Sequence, residues 1–235
     1  MKHVKLSAIA FLALASAGYA QTTVYQTTTT ASGTLTVESG VTSFLQPLTL
    51  SLGPGTYTIS QMVLGVNFNA VGNGQQDIFL SFYNNLDLSP GATDALAGAT
   101  DIDDEGIGLN DPPGAGSFAF TVNFGTPITL NVGTNFGIVF SFIDDASFTY
   151  STEISPLFRL GGVPSVGSNP GFVYNDADQD GVFPGSEQTT FSSTTANYYL
   201  RITATSVPVP EPSTYLMLLG GAGILLLFMR VRRAW

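Results

Sequence analysis

The chain has 235 residues, with 7 lysines and arginines against 17 aspartates and glutamates, no cysteine and one histidine. Between its two greasy ends, residues 21–207 carry only Arg159 and Arg201 against sixteen carboxylates, a net charge of −14. That balance argues against nucleic acid or anionic lipid as a partner, and the missing cysteines exclude disulfides.

The first predicted element is MKHVKLSAIAFLALASAGYA. Lys2 and Lys5 precede an apolar run from Leu6 to Ala17, and Gly18 and Ala20 supply small residues at a cleavage site. This is the pattern of a secretory signal peptide over 1–20, removed by signal peptidase during export and leaving Gln21 as the new N-terminus. His3, the sole histidine, leaves with it. A body without His or Cys cannot build Ser-His-Asp, Cys-His or histidine-ligated zinc chemistry.

The threonine-rich QTTVYQTTTTASG follows, read as an exposed edge strand or a flexible lead-in. Beyond it the body reads as all-β. TYTISQMVLGVNF, DIFLSFY, SFAFTVNF, PITLNV, NFGIVFSFI and NYYLRITAT are rich in β-branched and aromatic residues. Phe118, Phe120, Val122 and Phe124 fall on one face by the period of two, as do Phe136, Ile138, Phe140 and Phe142. Gly53-Pro54-Gly55, Gly72-Asn73-Gly74, Ser89-Pro90-Gly91 and Asp111-Pro112-Pro113-Gly114 punctuate the runs as turns. Short strands separated by Gly/Pro turns predict an antiparallel β-sandwich of jelly-roll type over 21–206.

Two acidic stretches interrupt this texture. TDIDDEGIGLNDPPG, with Asp101, Asp103, Asp104, Glu105 and Asp111, fits no ligand template and is read as a solvated loop. DADQDGVFPGSE, residues 176–187, satisfies D-x-[DN]-x-[DN]-G-x5-E, the spacing of an EF-hand-type calcium loop. Asp176, Asp178, Asp180, the carbonyl of Val182 and Glu187 are the candidate ligands, with Gly181 at the sharp turn. Of these, the three aspartates are favoured over Glu187. The flanking segments look like strand rather than helix, and Pro184 sits where a main-chain amide would normally help close the loop. The expectation is therefore a calcium loop in a β context, holding a structural Ca2+. An acidic, solvated hairpin turn is the alternative.

The last predicted element is VPVPEPSTYLMLLGGAGILLLFMRVRRAW. Pro208, Pro210 and Pro212 impose extended geometry on the residues around them. The uncharged run from Thr214 to Met229 would form a helix of roughly 24 Å, against a hydrocarbon core of roughly 30 Å. Arg230, Arg232 and Arg233 behind it act as a cytoplasmic membrane stop. Lys2 and Lys5 start on the same side, so both ends agree that the body between them is exported.

Val209-Pro210-Glu211-Pro212-Ser213, then a short hydrophobic helix, then a basic end, resembles the PEP-CTERM sorting signal of Gram-negative bacteria. Some ice-binding proteins are catalogued with a similar C-terminal domain. The resemblance covers 207–235 and leaves the body unassigned. It implies recognition by an exosortase, an integral-membrane transpeptidase that cuts near Pro-Glu-Pro. Transient anchoring in the inner membrane and delivery to the cell surface or extracellular matrix would follow.

For the body, a non-catalytic surface component associated with extracellular polysaccharide is the favoured reading. A carbohydrate- or ice-binding module is the alternative, and a glycoside hydrolase using paired carboxylates comes third. Stacking aromatics on an exposed face would favour the binding module, and an evenly polar exterior the structural role. The sole tryptophan, Trp235, lies in the tail, and Tyr83, Tyr150 and Tyr174, near turns, are the least constrained aromatics.

Overall fold

Alternating apolar and polar residues commit nearly the whole body to strand. The computed structural model describes residues 21–27, 35–37, 40–69, 76–109, 114–144, 149–151, 153–159, 164–189 and 197–207. The expected signal peptide 1–20, the sorting motif 209–213, the apolar run 214–229 expected to be helical and the terminal arginines lie outside the described residues. In chain order the strands are β1 (Thr22–Gln26), β2 (Leu35–Val37), β3 (Ser43–Leu48), β4 (Gly55–Phe68), β5 (Gln76–Asn84), β6 (Thr100–Leu109) and β7 (Gly116–Val132). They continue as β8 (Phe136–Asp144), β9 (Thr149–Tyr150), β10 (Ile154–Arg159), β11 (Val173–Asn175), β12 (Gln188–Thr189), β13 (Asn197–Tyr198) and β14 (Leu200–Val207). Among the described residues no helix is long and apolar enough to cross a membrane.

Two antiparallel sheets form. The first runs β1-β14-β4, with β7 on the other edge of β4 and β10, β2 and β13 continuing the sheet at one end. The second runs β12-β11-β3-β8-β5-β6, with β9 on β8. The pairings β1·β14, β3·β8, β4·β7 and β5·β6 are nested, so the chain behaves as one long hairpin rolled into two layers. That is the jelly-roll arrangement, as expected from the sequence.

The inward faces meet in an aromatic core. Phe44 of β3 stacks on Phe140 of β8 at 4.9 Å and meets Phe158 and Tyr198 of the opposite sheet edge-on. Phe136, Ile138, Phe140 and Phe142 are all buried, as their spacing predicts. Each fully buried aromatic or aliphatic side chain of this size contributes about 1.5–3 kcal/mol. In a chain without disulfides this core is the main source of stability.

Three local expectations are revised. SFAFTVNF and PITLNV are not two strands: both belong to β7, whose register against β4 shifts between Ile59 and Gln61. Pro127 is tolerated there because β7 is an edge strand and Pro127 is exposed. The acidic stretch from Asp101 to Glu105 is no loop but the outer half of β6, exposed to half-buried and paired with β5 around a register shift at Ile102. Carboxylates on an edge strand repel a second copy that would otherwise pair with it. The N-terminal tract does form an edge strand, β1, but Val24 and Tyr25 are fully buried rather than exposed.

Candidate functional site

The loop 176–187 joins β11 to β12, which pair antiparallel through Tyr174↔Gln188 and Val173↔Thr189. β11 in turn pairs with β3, so the loop projects from a strand of the second sheet. Its first half coils around Asp176, which is 2% exposed. The Asp176 carboxylate accepts the amides of Asp180 at 3.0 Å and Gly181 at 3.1 Å through its two oxygens. Gln179 and Gly181 supply the left-handed turns at φ 63° and φ 77°. Glycine tolerates that region freely, whereas it is uncommon for glutamine.

Pro184 does not obstruct closure. Extended at φ −71° and ψ 157°, it precedes the 3-10 turn Gly185–Glu187, and its carbonyl accepts the Glu187 amide at 2.9 Å. The turn swings Glu187 back over the start of the loop, where Oε1 accepts the amide of Ala177 at 3.3 Å. The other oxygen, Oε2, is enclosed and has no hydrogen-bond partner. Burial raises the Glu187 pKa above its ordinary value, opposed in part by the Ala177 amide and reinforced by the Asp178, Asp176 and Asp180 charges.

Carboxylate oxygens of Asp176, Asp178 and Glu187 lie within 4.8 Å of one another, a set that could hold a metal ion. Hard oxygen ligands suit a hard divalent cation. The enclosed, unpartnered Oε2 among like charges is the arrangement that a cation would relieve. Asp180 is placed differently: its Oδ1 accepts the amide of Val182 at 2.8 Å and it stands outside the triad. Among the candidate carboxylates, then, Glu187 rather than Asp180 joins Asp176 and Asp178.

What holds the loop in place was not legible locally. Phe183 is 1% exposed and packs with Leu45, Leu86, Ala95, Val139 and Tyr174 in a second cluster outside the main core. Tyr174 is therefore a core residue, not a turn residue available to a ligand, and burial followed by the Asp87 charge raises its pKa. The partner segment is 86–99. Asp94 Oδ1 accepts the amides of Leu96 at 2.9 Å and Phe183 at 3.2 Å, and the amide of Ala95 donates to the Phe183 carbonyl at 2.8 Å. The bond to Leu96 is an ordinary side-chain turn visible in TDAL. The bond to Phe183 bridges 89 positions and has no sequence signal.

A second feature lies at the open edge where β6 faces β7. A cleft of ≈ 360 Å³ is lined by Glu105, Gly106, Ile107, Val122, Phe124 and Thr126, among others. Phe118, Phe120, Val122 and Phe124 are half-buried along this edge. Elsewhere the exterior is polar: among the described residues the exposed large hydrophobics are Leu52 and Phe79. Phe79 pairs with Gly106 across the strands and lies over it, covering backbone that glycine leaves bare.

No curated protein and no solved structure matches the chain. Residues 208–233 match the family model described as the PEP-CTERM protein-sorting motif, starting directly after β14 ends at Val207. The chain therefore carries a PEP-CTERM sorting motif, which marks it as an exported protein, processed at the membrane by an exosortase-type sorting system on its way to the cell surface.

Proposed function

We propose that the protein is a non-catalytic surface or matrix component whose jelly-roll body is delivered by its tail and stapled by Ca2+ in the loop 176–187. The matched motif over 208–233 carries the sorting part of this reading. Val209, Pro210, Glu211, Pro212 and Ser213 are the residues an exosortase-type transpeptidase would engage. Arg230, Arg232 and Arg233 would hold the helix 214–229 in the inner membrane of a Gram-negative cell until cleavage. Deleting 209–235 is expected to abolish surface delivery while the body keeps its fold. Unchanged delivery of the truncated chain sinks the sorting assignment.

The metal part rests on the triad of Asp176, Asp178 and Glu187 and on the enclosed Oε2. Oxygen-only donors with several carboxylates favour calcium over softer transition metals. The ion would be structural: it would neutralise the acidic loop and hold it against the second cluster around Phe183.

The polar exterior favours a role in bulk association with extracellular polysaccharide over a pocket for one ligand. The β6–β7 cleft favours a second reading, a carbohydrate-binding module, since it combines Phe124 with Glu105, Asn123 and Thr126. Phe124→Ala distinguishes the two. Retention on the producing cell's polysaccharide that survives the substitution supports the structural role, and retention lost with the fold intact supports the cleft.

A further inference from the structure

We propose that the outer face of the first sheet is the surface on which the protein adheres to polysaccharide, and that the polymer it fits is a neutral, hydroxyl-rich glycan. The inference rests on the reading of the body as a polysaccharide-associated component and assigns that role a place. Charge separates the two layers. No strand of the first sheet contains an aspartate or a glutamate, although β4 and β7 alone run to 14 and 17 residues. The strands of the second sheet hold Asp77, Asp101, Asp103, Asp104, Glu105 and Asp144, and the loop 176–187 leaves from the same sheet. Both cations of the body belong to the first sheet. Arg159 of β10 is 6% exposed and donates through Nη1 to the Thr27 carbonyl. Arg201 of β14 is half-buried, with Nη2 donating to Gln61 Oε1 at 3.5 Å. That guanidinium is the only charged side chain on β1, β14, β4 and β7.

Strand pairing lines the neutral side chains up in rows. Tyr57, Ile59, Ile128, Leu130, Ile202 and Ala204 are buried inward, so their chain neighbours point outward. Thr129 of β7, Thr58 of β4 and Thr205 of β14 stand opposite one another in one row. Asn123, Gln61, Thr203 and Thr23 form a second row that crosses β7, β4, β14 and β1. All of these side chains are exposed or half-buried. Within the rows the hydroxyls of Thr58 and Thr129 are hydrogen-bonded at 3.3 Å, and Gln61 Nε2 donates to Asn123 Oδ1 at 2.8 Å. Neighbouring strands lie about 4.8 Å apart, so the four-strand row is about 14 Å across. Beyond it Tyr199, half-buried, lies against Gly65 and adds an aromatic ring to the same face.

This surface suits a neutral polymer of hydroxyl groups. Hydroxyls and side-chain amides both donate and accept, as a sugar hydroxyl does, whereas carboxylates only accept. Neutral groups also lose less than charged ones when water is displaced from them. Threonine is stiff about χ1, so a row of threonines gives up little rotamer freedom on contact, and its methyl groups can meet the C–H faces of sugar rings. An anionic polysaccharide is repelled by the body's net charge of −14. A cationic one would settle on the carboxylates of the second sheet instead. The neutral glycan is the class that remains, and the first sheet is the layer that matches it.

Retention of the full-length chain, held in detergent, on insoluble polysaccharide tests the proposal. The supports are cellulose and starch as neutral probes, chitosan as a cationic one, and polysaccharide from the producing cell. Retention on a neutral probe and on the cell's own polymer is expected, changing little with salt because no charge pair carries it. Asn123→Glu and Thr205→Glu each place a charge in one row. Each should weaken retention by about tenfold or more, since that charge would lose its water without gaining a partner. Asp104→Asn, on the second sheet, should leave retention unchanged, and circular dichroism checks that every variant is folded. Undiminished retention of folded Asn123→Glu and Thr205→Glu overturns the assigned surface and leaves polysaccharide association standing. Failure on both neutral probes with retention on the cell's polymer overturns the ligand class. Binding to chitosan alone, abolished by salt, overturns the proposal in favour of the second sheet. Retention on none of the supports overturns both the proposal and the reading on which it rests.

Discussion

The amide of Gly185 donates to the carbonyl of Ala92 at 2.7 Å, and a Cβ placed on Gly185 would stand 2.8 Å from that same oxygen. This contact clamps the 3-10 turn that carries Glu187 onto the segment packed over the second sheet. Gly185→Ala must push the two backbones apart. The expected cost is about 1–3 kcal/mol, the usual range for overpacking against atoms that cannot move aside. Urea unfolding measures it, and calcium titration of the same variant should show weaker binding because Glu187 is displaced.

Asp176 and Asp178 should separate stability from metal affinity. Asp176 accepts two loop amides, so Asp176→Ala destabilises the loop even in chelator, by about 1.5–3 kcal/mol for the loss of hydrogen bonding to a charged acceptor. Asp178 is exposed and belongs to the triad. Asp178→Asn is expected to weaken calcium binding in calorimetry while leaving the unfolding midpoint in chelator almost unchanged. A variant that shifts the chelator midpoint as far as Asp176→Ala contradicts this division of roles.

Removing the ion should lower thermal stability in proportion to occupancy. At a free calcium concentration one hundred times the dissociation constant, a ligand of the native state alone adds about 2.7 kcal/mol. Scanning calorimetry with and without a chelator should show that difference. An unfolding temperature indifferent to calcium reduces the loop to an acidic turn.

Gly65 carries a second steric constraint, on the face of the first sheet turned away from the main core. A Cβ there would lie 2.6 Å from Cβ of Tyr199 and 3.0 Å from Cβ of Leu157, at the junction where β14 and β10 meet the same edge of β4. Gly65→Ala is expected to destabilise by about 1–3 kcal/mol or to shift the local register. Chemical denaturation and amide exchange at Gly65, whose amide donates to the Tyr199 carbonyl, report it.

Alkaline stability follows from two core phenols. Burial raises the pKa of Tyr25 and of Tyr198 far above the ordinary value of 10.0. The folded state holds both protonated, whereas the unfolded chain ionises them near its ordinary value. Their contribution is therefore complete below about pH 10 and is lost as the pH rises from there towards the folded values. Tyrosinate absorbance should show these two groups ionising together with unfolding. Early, non-cooperative ionisation of all tyrosines contradicts the burial of Tyr25 and Tyr198.

The acidic loop shows where sequence reading reaches its limit. The spacing of Asp176, Asp178, Asp180, Gly181 and Glu187 is a local regularity and was legible as a candidate cation loop. Which carboxylates converge depends on the turn begun at Pro184 and on the anchor at Phe183. Both are set by residues 92–95, far away in the chain. Phe118, Phe120, Val122 and Phe124 were likewise legible as one strand face, while their placement on an edge beside β6 was not.

By itself the sequence determined the export route and the layer type. Sorting motif and period-two alternation are each written in contiguous residues, and short-range sterics and hydrophobicity suffice to read them. Tertiary structure alone decided that the Glu187 carboxylate converges on those of Asp176 and Asp178, that Tyr174 is core, and that Asp101 to Glu105 form a strand. Those outcomes depend on strand pairing between distant residues, as Asp104 with Ser81, or on packing between distant loops, as Phe183 with Ala95. Such contacts are chosen by the burial of the whole rolled hairpin, and no local pattern encodes them.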